Sequence, residues 1–252
     1  KQTCFYTYPD AVKLLEEVNS KFKLKVLHID NVNPVKVVMD KNEEITKAIV
    51  KYCTSGNIAA FGIESFDKEV VRANSLNTSP EIAMKAIEII NKHGRERGED
   101  GLPRFLPGVN IIFGLINESK QTHKENMKYL KLILDKRLLL RRINIRQAAV
   151  FENTKLYKEA GNKFLRKNKK YYWKWRNEIR QKIDNEMLKR VIPSGTILRN
   201  CYAEIYDGGK TFLRQFGTYP LVIGVHGRLD LKKFFNVRVT EHMQRGLGGI
   251  VE

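Results

Sequence analysis

Asn57-Ile58-Ala59-Ala60-Phe61-Gly62-Ile63-Glu64-Ser65 is a short apolar run that ends abruptly in a carboxylate and a hydroxyl. A continuous apolar strand suits a parallel sheet, whose strands do not alternate in polarity as half-exposed ones do. Its flanks read as helices. Glu43 to Tyr52 carries Ile45, Ala48, Ile49 and Tyr52 at helical spacing and ends at Gly56. Ser79-Pro80-Glu81 supplies a cap and a first-turn proline to a helix marked by Ile82, Ala86, Ile89 and Ile90 and closed at Gly94.

The same unit recurs on both sides. Upstream, residues 10–20 place Val12, Leu14, Leu15 and Val18 on one helical face, with Asp10 as N-cap, before a strand at Lys25 to Ile29 that stops at Asp30-Asn31-Val32-Asn33-Pro34. Downstream, a polar loop (Arg95 to Arg104) leads to a strand at Val109–Phe113, a helix at Gln121–Lys136 and a strand at Arg142–Arg146. Met127, Leu130 and Leu134 share one face of that helix. Four strand–helix alternations with short connections predict an α/β fold, either an incomplete (β/α) barrel of parallel strands or an open doubly wound sheet. Polar residues gather just past the strand ends: Asp30, Asn31 and Asn33, then Glu64 and Ser65, then Glu118, then Arg146 and Gln147. That edge is where ligands bind in such sheets.

After about residue 160 the pattern changes. Residues 163–190 contain eleven Lys or Arg, three acids and five aromatics (Phe164, Tyr171, Tyr172, Trp173, Trp175), as expected of a long basic helix. Beyond Pro193-Ser194-Gly195 the hydrophobic period becomes two, with turns at glycines, which predicts a small antiparallel β-barrel. Gly246-Leu247-Gly248-Gly249 lacks the strand–helix context of a dinucleotide fingerprint and reads as a turn. The expected organisation is a partial barrel over 1–160, a basic aromatic helical linker over 161–192 and a small barrel over 193–252.

Charge follows this division. The chain of 252 residues has 46 Lys plus Arg against 28 Asp plus Glu, net +18. Residues 1–160 hold 27 basic and 20 acidic side chains, whereas residues 161–252 hold 19 and 8, so the shorter segment is the more basic. Such a field attracts phosphate polymers or anionic surfaces. No apolar run is long enough to span a bilayer and the opening residues lack a signal-peptide pattern, so the expected location is cytoplasmic. Cys4, Cys53 and Cys201 have no ligand-like spacing and read as small apolar fillers.

Taken alone, Glu64 and Ser65 at a strand mouth suit hydrogen bonding to a ribose or an amine, and equally a helix cap or an ion pair. Gly114 at the next strand end permits close backbone approach, and Glu118 suits either a ligand or the dipole of the helix that follows. Basic residues interleaved with aromatics (Lys169, Lys170, Trp173, Lys174, Trp175, Arg176 and Arg180, with Lys210 and Arg214 further on) can neutralise phosphates and stack on unpaired bases, or form a solvated helix face.

The succession Asn57 to Ser65, Leu76 to Pro80, Pro107 to Leu115 with Glu118-Ser119, and Ile143 to Gln147 resembles the later half of a radical S-adenosylmethionine (SAM) domain. More narrowly, it is similar to an uncharacterised, largely archaeal group of radical SAM proteins that carry a helix-hairpin-helix domain. The resemblance implies that the four strands correspond to strands three to six of a six-stranded partial barrel. It also implies that Glu64 and Ser65 contact SAM, that Asn110 to Gly114 lie beside the adenine, and that Arg146 and Gln147 sit at the last strand's mouth. Departures occur at Gly114-Leu115-Ile116-Asn117-Glu118-Ser119, where relatives often read Gly-Leu-Pro-Gly-Glu-Thr, and at Asn153-Thr154, which replaces a Pro-Gly-Thr turn. The cysteine triplet that holds the family's 4Fe-4S cluster is absent, and with no initiator Met the expectation is a fragment beginning after that loop. Residues from Gly195 onward are similar to the TRAM barrel of radical SAM methylthiotransferases, an RNA-binding module.

The resemblance therefore implies part of a metal-binding, iron–sulfur enzyme that cleaves SAM to a 5′-deoxyadenosyl radical and modifies RNA, in particular tRNA. Two alternatives stand beside it: a nucleic-acid-binding scaffold without catalysis, and a radical SAM enzyme acting on protein.

Overall fold

The computed structural model describes residues 5–8 and 10–252, so Cys4 lies outside the described residues. A four-stranded parallel sheet has the order β1 (Asn31–Val32), β2 (Asn57–Glu64), β3 (Phe105–Phe113), β4 (Arg142–Gln147). Strands added in chain order in one direction, through right-handed crossovers, place all their connecting helices on one face. This is the winding of a barrel wall. A doubly wound sheet would reverse direction at a switch point.

The covering helices are α1 (Ala11–Lys21), α2 (Pro34–Val38), α3 (Glu44–Tyr52), α4 (Lys68–Ala73), α5 (Pro80–Gly94) and α6 (Lys120–Asp135). Side chains cap four of them, Asp67 accepting from Glu69 N–H at the start of α4. Asn33 accepts from Val35 N–H, Ser79 accepts from Ile82 N–H ahead of Pro80, and Ser119 and Thr122 form a reciprocal box on α6. Asp10 occupies the N-cap position of α1 but makes no side-chain capping bond. Odd-numbered strand residues, among them Phe61, Ile63, Phe105, Val109, Ile111, Phe113 and Ile143, are buried beneath Ile87, Ile90, Leu130 and Ile133 of α5 and α6.

The first strand differs from expectation. Only Asn31 and Val32 join the ladder, and the Lys25–Ile29 segment is tethered by side chains instead. Leu27 N–H donates to Thr54 Oγ1, and Ile29 N–H donates to Asn57 Oδ1. These bonds occupy the amides that would otherwise pair in register.

After β4 come α7 (Lys155–Glu159), α8 (Lys163–Ile179), a π-helical turn at Arg180–Asp184 and α9 (Asn185–Val191). The basic segment is thus broken by the π turn, and its apolar stripe (Tyr172, Trp175, Ile179, Ile183, Met187) belongs to the same core as the sheet. Trp175 stacks on His123 at 5.3 Å and lies 5.7 Å from the Phe113 ring.

The C-terminal strands β5 (Ile197–Asp207), β6 (Lys210–Arg214), β7 (Ile223–His226), β8 (Phe234–His242) and β9 (Leu247–Val251) close a barrel in the order β5-β6-β7-β9-β8. It is mixed, not purely antiparallel: β7 and β9 pair in parallel while the other pairs are antiparallel. Parity requires this, because an odd number of strands cannot alternate direction all the way round a closed ring. Leu247 to Gly249, expected in a turn, already belong to β9. At Gly249 a Cβ would come within 2.6 Å of Arg238 O on β8, so the glycine lets the two strands close.

The polar loop 95–104 is the seat of this barrel. Asp100 O accepts from Arg199 N–H and Gln215 Nε2, and the Arg97 guanidinium donates to Gly101 O and Val191 O, both at 2.7 Å. Gly101 has φ +87°, and a Cβ there would lie 2.1 Å from Ile197 O. Gly101→Ala is therefore expected to cost about 1–3 kcal/mol in urea unfolding, from both backbone strain and the clash. Gly195→Ala, at φ +88° with no atom within 4 Å, is expected to cost about 1 kcal/mol, from strain alone.

Candidate active site on the open face of the sheet

Even-numbered strand residues point away from the helices. The ladder aligns them in rows: Ala60, Gly108 and Arg142, joined by odd-numbered Asn31 because β1 has the opposite parity, then Gly62, Asn110 and Asn144. Toward the strand ends stand Glu64 on β2 and the pair Ile112 and Arg146 on β3 and β4. Gly62, Arg146 and Asn31 are exposed and Ala60, Glu64, Asn110, Ile112, Arg142 and Asn144 half-buried, so this face is polar and open, floored lower down by buried Ile58, Leu106 and Gly108. Asn144 Nδ2 donates to Asn110 Oδ1 at 3.0 Å, which leaves the Asn110 amide and the Asn144 carbonyl directed by that bond.

Glu64 is the distinctive group. Its backbone is left-handed at φ +65°, and the β2–β3 register slips between Gly62 and Glu64. A non-glycine residue in this conformation is held there by its surroundings. The bulge turns the carboxylate onto the open face beside Gly62, where a Cβ would sit 3.1 Å from Glu64 Oε1. Glu64 Oε2 is buried with no hydrogen-bond partner. Desolvation raises its pKa, partly opposed by the positive charge of Arg146.

The other residues expected at this mouth are placed differently. Ser65 is 1% exposed, and its hydroxyl accepts from Asp67 N–H inside the turn to α4. It is therefore occupied in holding that turn and does not face the open sheet. Gly114, at φ +97°, makes room for Leu165 of α8, whose Cδ2 would lie 2.3 Å from an added Cβ. Gln147 is exposed but odd-numbered, and lines a cleft against Arg166, Lys169 and Trp173 of α8. Of the six, Glu64, Asn110 and Arg146 share the open face.

Glu118 is structural. It is buried, its Oε2 accepts from Gly114 N–H at 2.6 Å and its Oε1 from Asn168 Nδ2 at 2.9 Å, so it ties the β3 turn to α8. Burial raises its pKa to about 7 against these hydrogen bonds, which favour the ionised form.

On the basic helix, Lys169, Lys170, Trp173 and Lys174 are exposed, Trp173 by 62%, with the Arg176 guanidinium 5.2 Å over its ring. Trp175 and Arg180 are not on this surface. Trp175 is 5% exposed in the core, and Arg180 is 3% exposed, donating to Ile143 O at the unpaired edge of β4 and to Asp184. Their helical phase, seven residues from Asn168 to Trp175 and four more to Ile179, marks the buried stripe. On the small barrel, Lys210 is half-buried and Arg214 is paired with Glu204 at 2.5 Å.

Two groups were not read from the sequence. Arg142 and Asn144 lie on the open face beside the expected Asn31, and period-two alternation from Asn110 across the ladder would have found Asn144. Tyr202, Phe216 and Phe234 form an aromatic trio with centroids 5.2–5.4 Å apart on the outside of the small barrel. Phe216 and Phe234 are about half exposed. They come from three separate segments, so no local motif announces them.

No family model matches the chain. It is homologous to the uncharacterised protein MJ0274 of Methanocaldococcus jannaschii, with 44% identity over 95% of this chain and 45% of that protein. It is likewise homologous to an uncharacterised protein of Archaeoglobus fulgidus, with 39% identity over 99% of this chain and 50% of that protein. The chain thus spans about half the length of these curated relatives. Among the described residues no helix is long and apolar enough to cross a membrane.

Glu118 generates a pH prediction. Its folded pKa lies above the unfolded value, so the folded state binds the proton first. Stability gained from this group is fully present below about pH 4.5 and is lost as pH rises through about 7. Wild type is expected to lose up to about 3 kcal/mol more than Glu118→Gln between pH 4.5 and 8 in urea titrations. Parallel pH profiles for the two proteins would contradict it.

Proposed function

We propose that the chain is the substrate- and cofactor-orienting half of a radical SAM enzyme that modifies RNA. The observation that carries this reading is the open, polar face of a singly wound parallel sheet, with an unpartnered Glu64 carboxylate oxygen held over Gly62 by a strained bulge.

The residues of this face fit SAM. A carboxylate with a buried free oxygen accepts hydrogen bonds from ribose hydroxyls or an amine, and its partial burial strengthens them. Asn110 and Asn144 offer amide edges to a purine, and the small residues Ala60 and Gly62 leave room for a flat ring against the backbone. Arg146 stands at the mouth, where its charge partly offsets the desolvation of Glu64 and can meet an anionic substrate group. SAM, when bound and reduced, supplies one-electron hydrogen-abstraction chemistry. The chain's own part is to bind it and orient it.

The described residues do not fit a 4Fe-4S cluster. They contain no group of three or more His, Cys, Asp or Glu able to hold a metal, and Cys53 and Cys201 are buried with thiol pKa values pushed up to about 12. No step is assigned to a cluster on these residues.

RNA as substrate is supported by two surfaces. Exposed Lys169, Lys170 and Lys174 surround the exposed Trp173 on α8, a combination that neutralises phosphates and stacks a base. The small barrel presents the Tyr202–Phe216–Phe234 trio, and closed five-stranded barrels with exposed aromatics are a recurrent platform for single-stranded nucleic acid.

The test has two arms on the same preparations. In the intact protein reconstituted with iron, sulfide and a reductant, Glu64→Gln is expected to weaken SAM binding at least about tenfold and to lower 5′-deoxyadenosine formation accordingly. Trp173→Ala is expected to leave SAM binding unchanged and to weaken a labelled single-stranded RNA by about 1–3 kcal/mol. Full cluster loading with no SAM binding would overturn the enzymatic reading. RNA binding without a salt slope would overturn the RNA substrate.

A further inference from the structure

A second site lies where the unpaired edge of β4 meets the π turn and the small barrel's loops. Here a cavity of about 240 Å³ is lined by four arginines, Arg141, Arg142, Arg180 and Arg245, and a single carboxylate, Asp184. Tyr219, from the loop before β7, closes one wall. The Arg142 guanidinium lies flat over its ring at 3.7 Å, and Arg141 donates to Tyr219 O at 3.1 Å. The tyrosine is itself fixed by donating to Asp30 Oδ1 at 2.8 Å.

The charge is not balanced. Arg180 uses one nitrogen on Ile143 O and Asp184, yet its Nε is buried without a partner, and the Nε of Arg141 is buried without a partner as well. Arg141, Arg180 and Arg245 all face Asp184, and Arg142, Arg176 and Arg180 all bear on Arg245. One carboxylate cannot neutralise four guanidiniums, and the buried Nε groups of Arg141 and Arg180 are left without an acceptor. Burial and its neighbour Arg142 pull the Arg141 pKa down to about 10. The arrangement lacks an anion with several acceptor oxygens, which is what planar guanidinium forks match best.

We infer that this cavity binds a phosphate group, which bridges the sheet edge and the small barrel through the four arginines. Its size admits a phosphate ester. The phosphate comes either from an RNA backbone passing between the two parts of the chain or from a small phosphorylated molecule. Both share the same recognition chemistry. The site goes beyond the radical SAM reading: it shares Arg142 with the lower row of the open face, but none of its lining residues is Glu64, Asn110 or Arg146.

The chain is titrated with inorganic phosphate, followed by thermal unfolding against chloride at equal ionic strength, for wild type, Arg245→Gln and Arg142→Gln. Phosphate is expected to raise the wild-type Tm by about 2–4 °C beyond chloride, and each variant to weaken phosphate about tenfold. Arg245 sits on an exposed loop, so its replacement tests the site without disturbing the core. Single-stranded RNA and a nucleoside 5′-monophosphate then separate the sources. Loss of RNA affinity in Arg245→Gln assigns the polymer, whereas tighter monophosphate binding with unchanged RNA affinity assigns the small molecule. Equal stabilisation by phosphate and chloride, or wild-type phosphate affinity in both variants, would overturn the proposal.

Discussion

A parallel sheet wound in one direction carries helices on one face only, and that asymmetry governs the rest of this molecule. The odd-numbered residues of β2, β3 and β4 have a core to enter, and they are the Phe, Ile and Val side chains found there. Among the even-numbered ones only Ile58, Leu106 and Gly108, low on the sheet, are buried. Fully parallel sheets are ordinarily covered on both faces. This one instead leaves Gly62, Asn110, Asn144 and Arg146 toward solvent, with polar or minimal side chains suited to a bound molecule.

The second consequence is electrostatic. Helix α8 places its basic residues outward because its aromatic stripe is consumed in covering the β3 and β4 side of the core, through Trp175, Phe113 and His123. The π turn that follows brings Arg180 to the edge carbonyl of Ile143. The free edge of β4 is thereby satisfied by a cation where another strand would otherwise pair. The small barrel, seated on loop 95–104, adds Arg245 and Tyr219 to the same edge. The excess positive charge is thus partly an exposed helix face and partly a concentrated pocket.

Sequence made the architecture legible because its signals were local. The apolar runs at 57–63 and 109–113 and the Ser79-Pro80 start all coincide with elements. Lys25 to Ile29 was misread because Thr54 and Asn57, remote in sequence, capture its amides. An antiparallel barrel was expected because strand direction is invisible to alternation, and only the count of five strands forces the parallel pair. Within the site, Glu64 was readable from its place at a strand end, but its left-handed bulge was not. Ser65 and Gly114 were drawn into turn and helix packing that depend on Asp67 and Leu165. Trp175 and Arg180 looked like Trp173 and Lys174 in composition, and helical phase alone separated core from surface.

The claim that the open sheet face is the ligand site is tested most directly by amide hydrogen exchange of the chain with and without SAM. The account predicts slowed exchange in residues 60–64, 108–112 and 142–146, abolished by Glu64→Gln. Exchange unchanged in these strands at SAM concentrations that saturate binding, with protection confined to other segments, would contradict it.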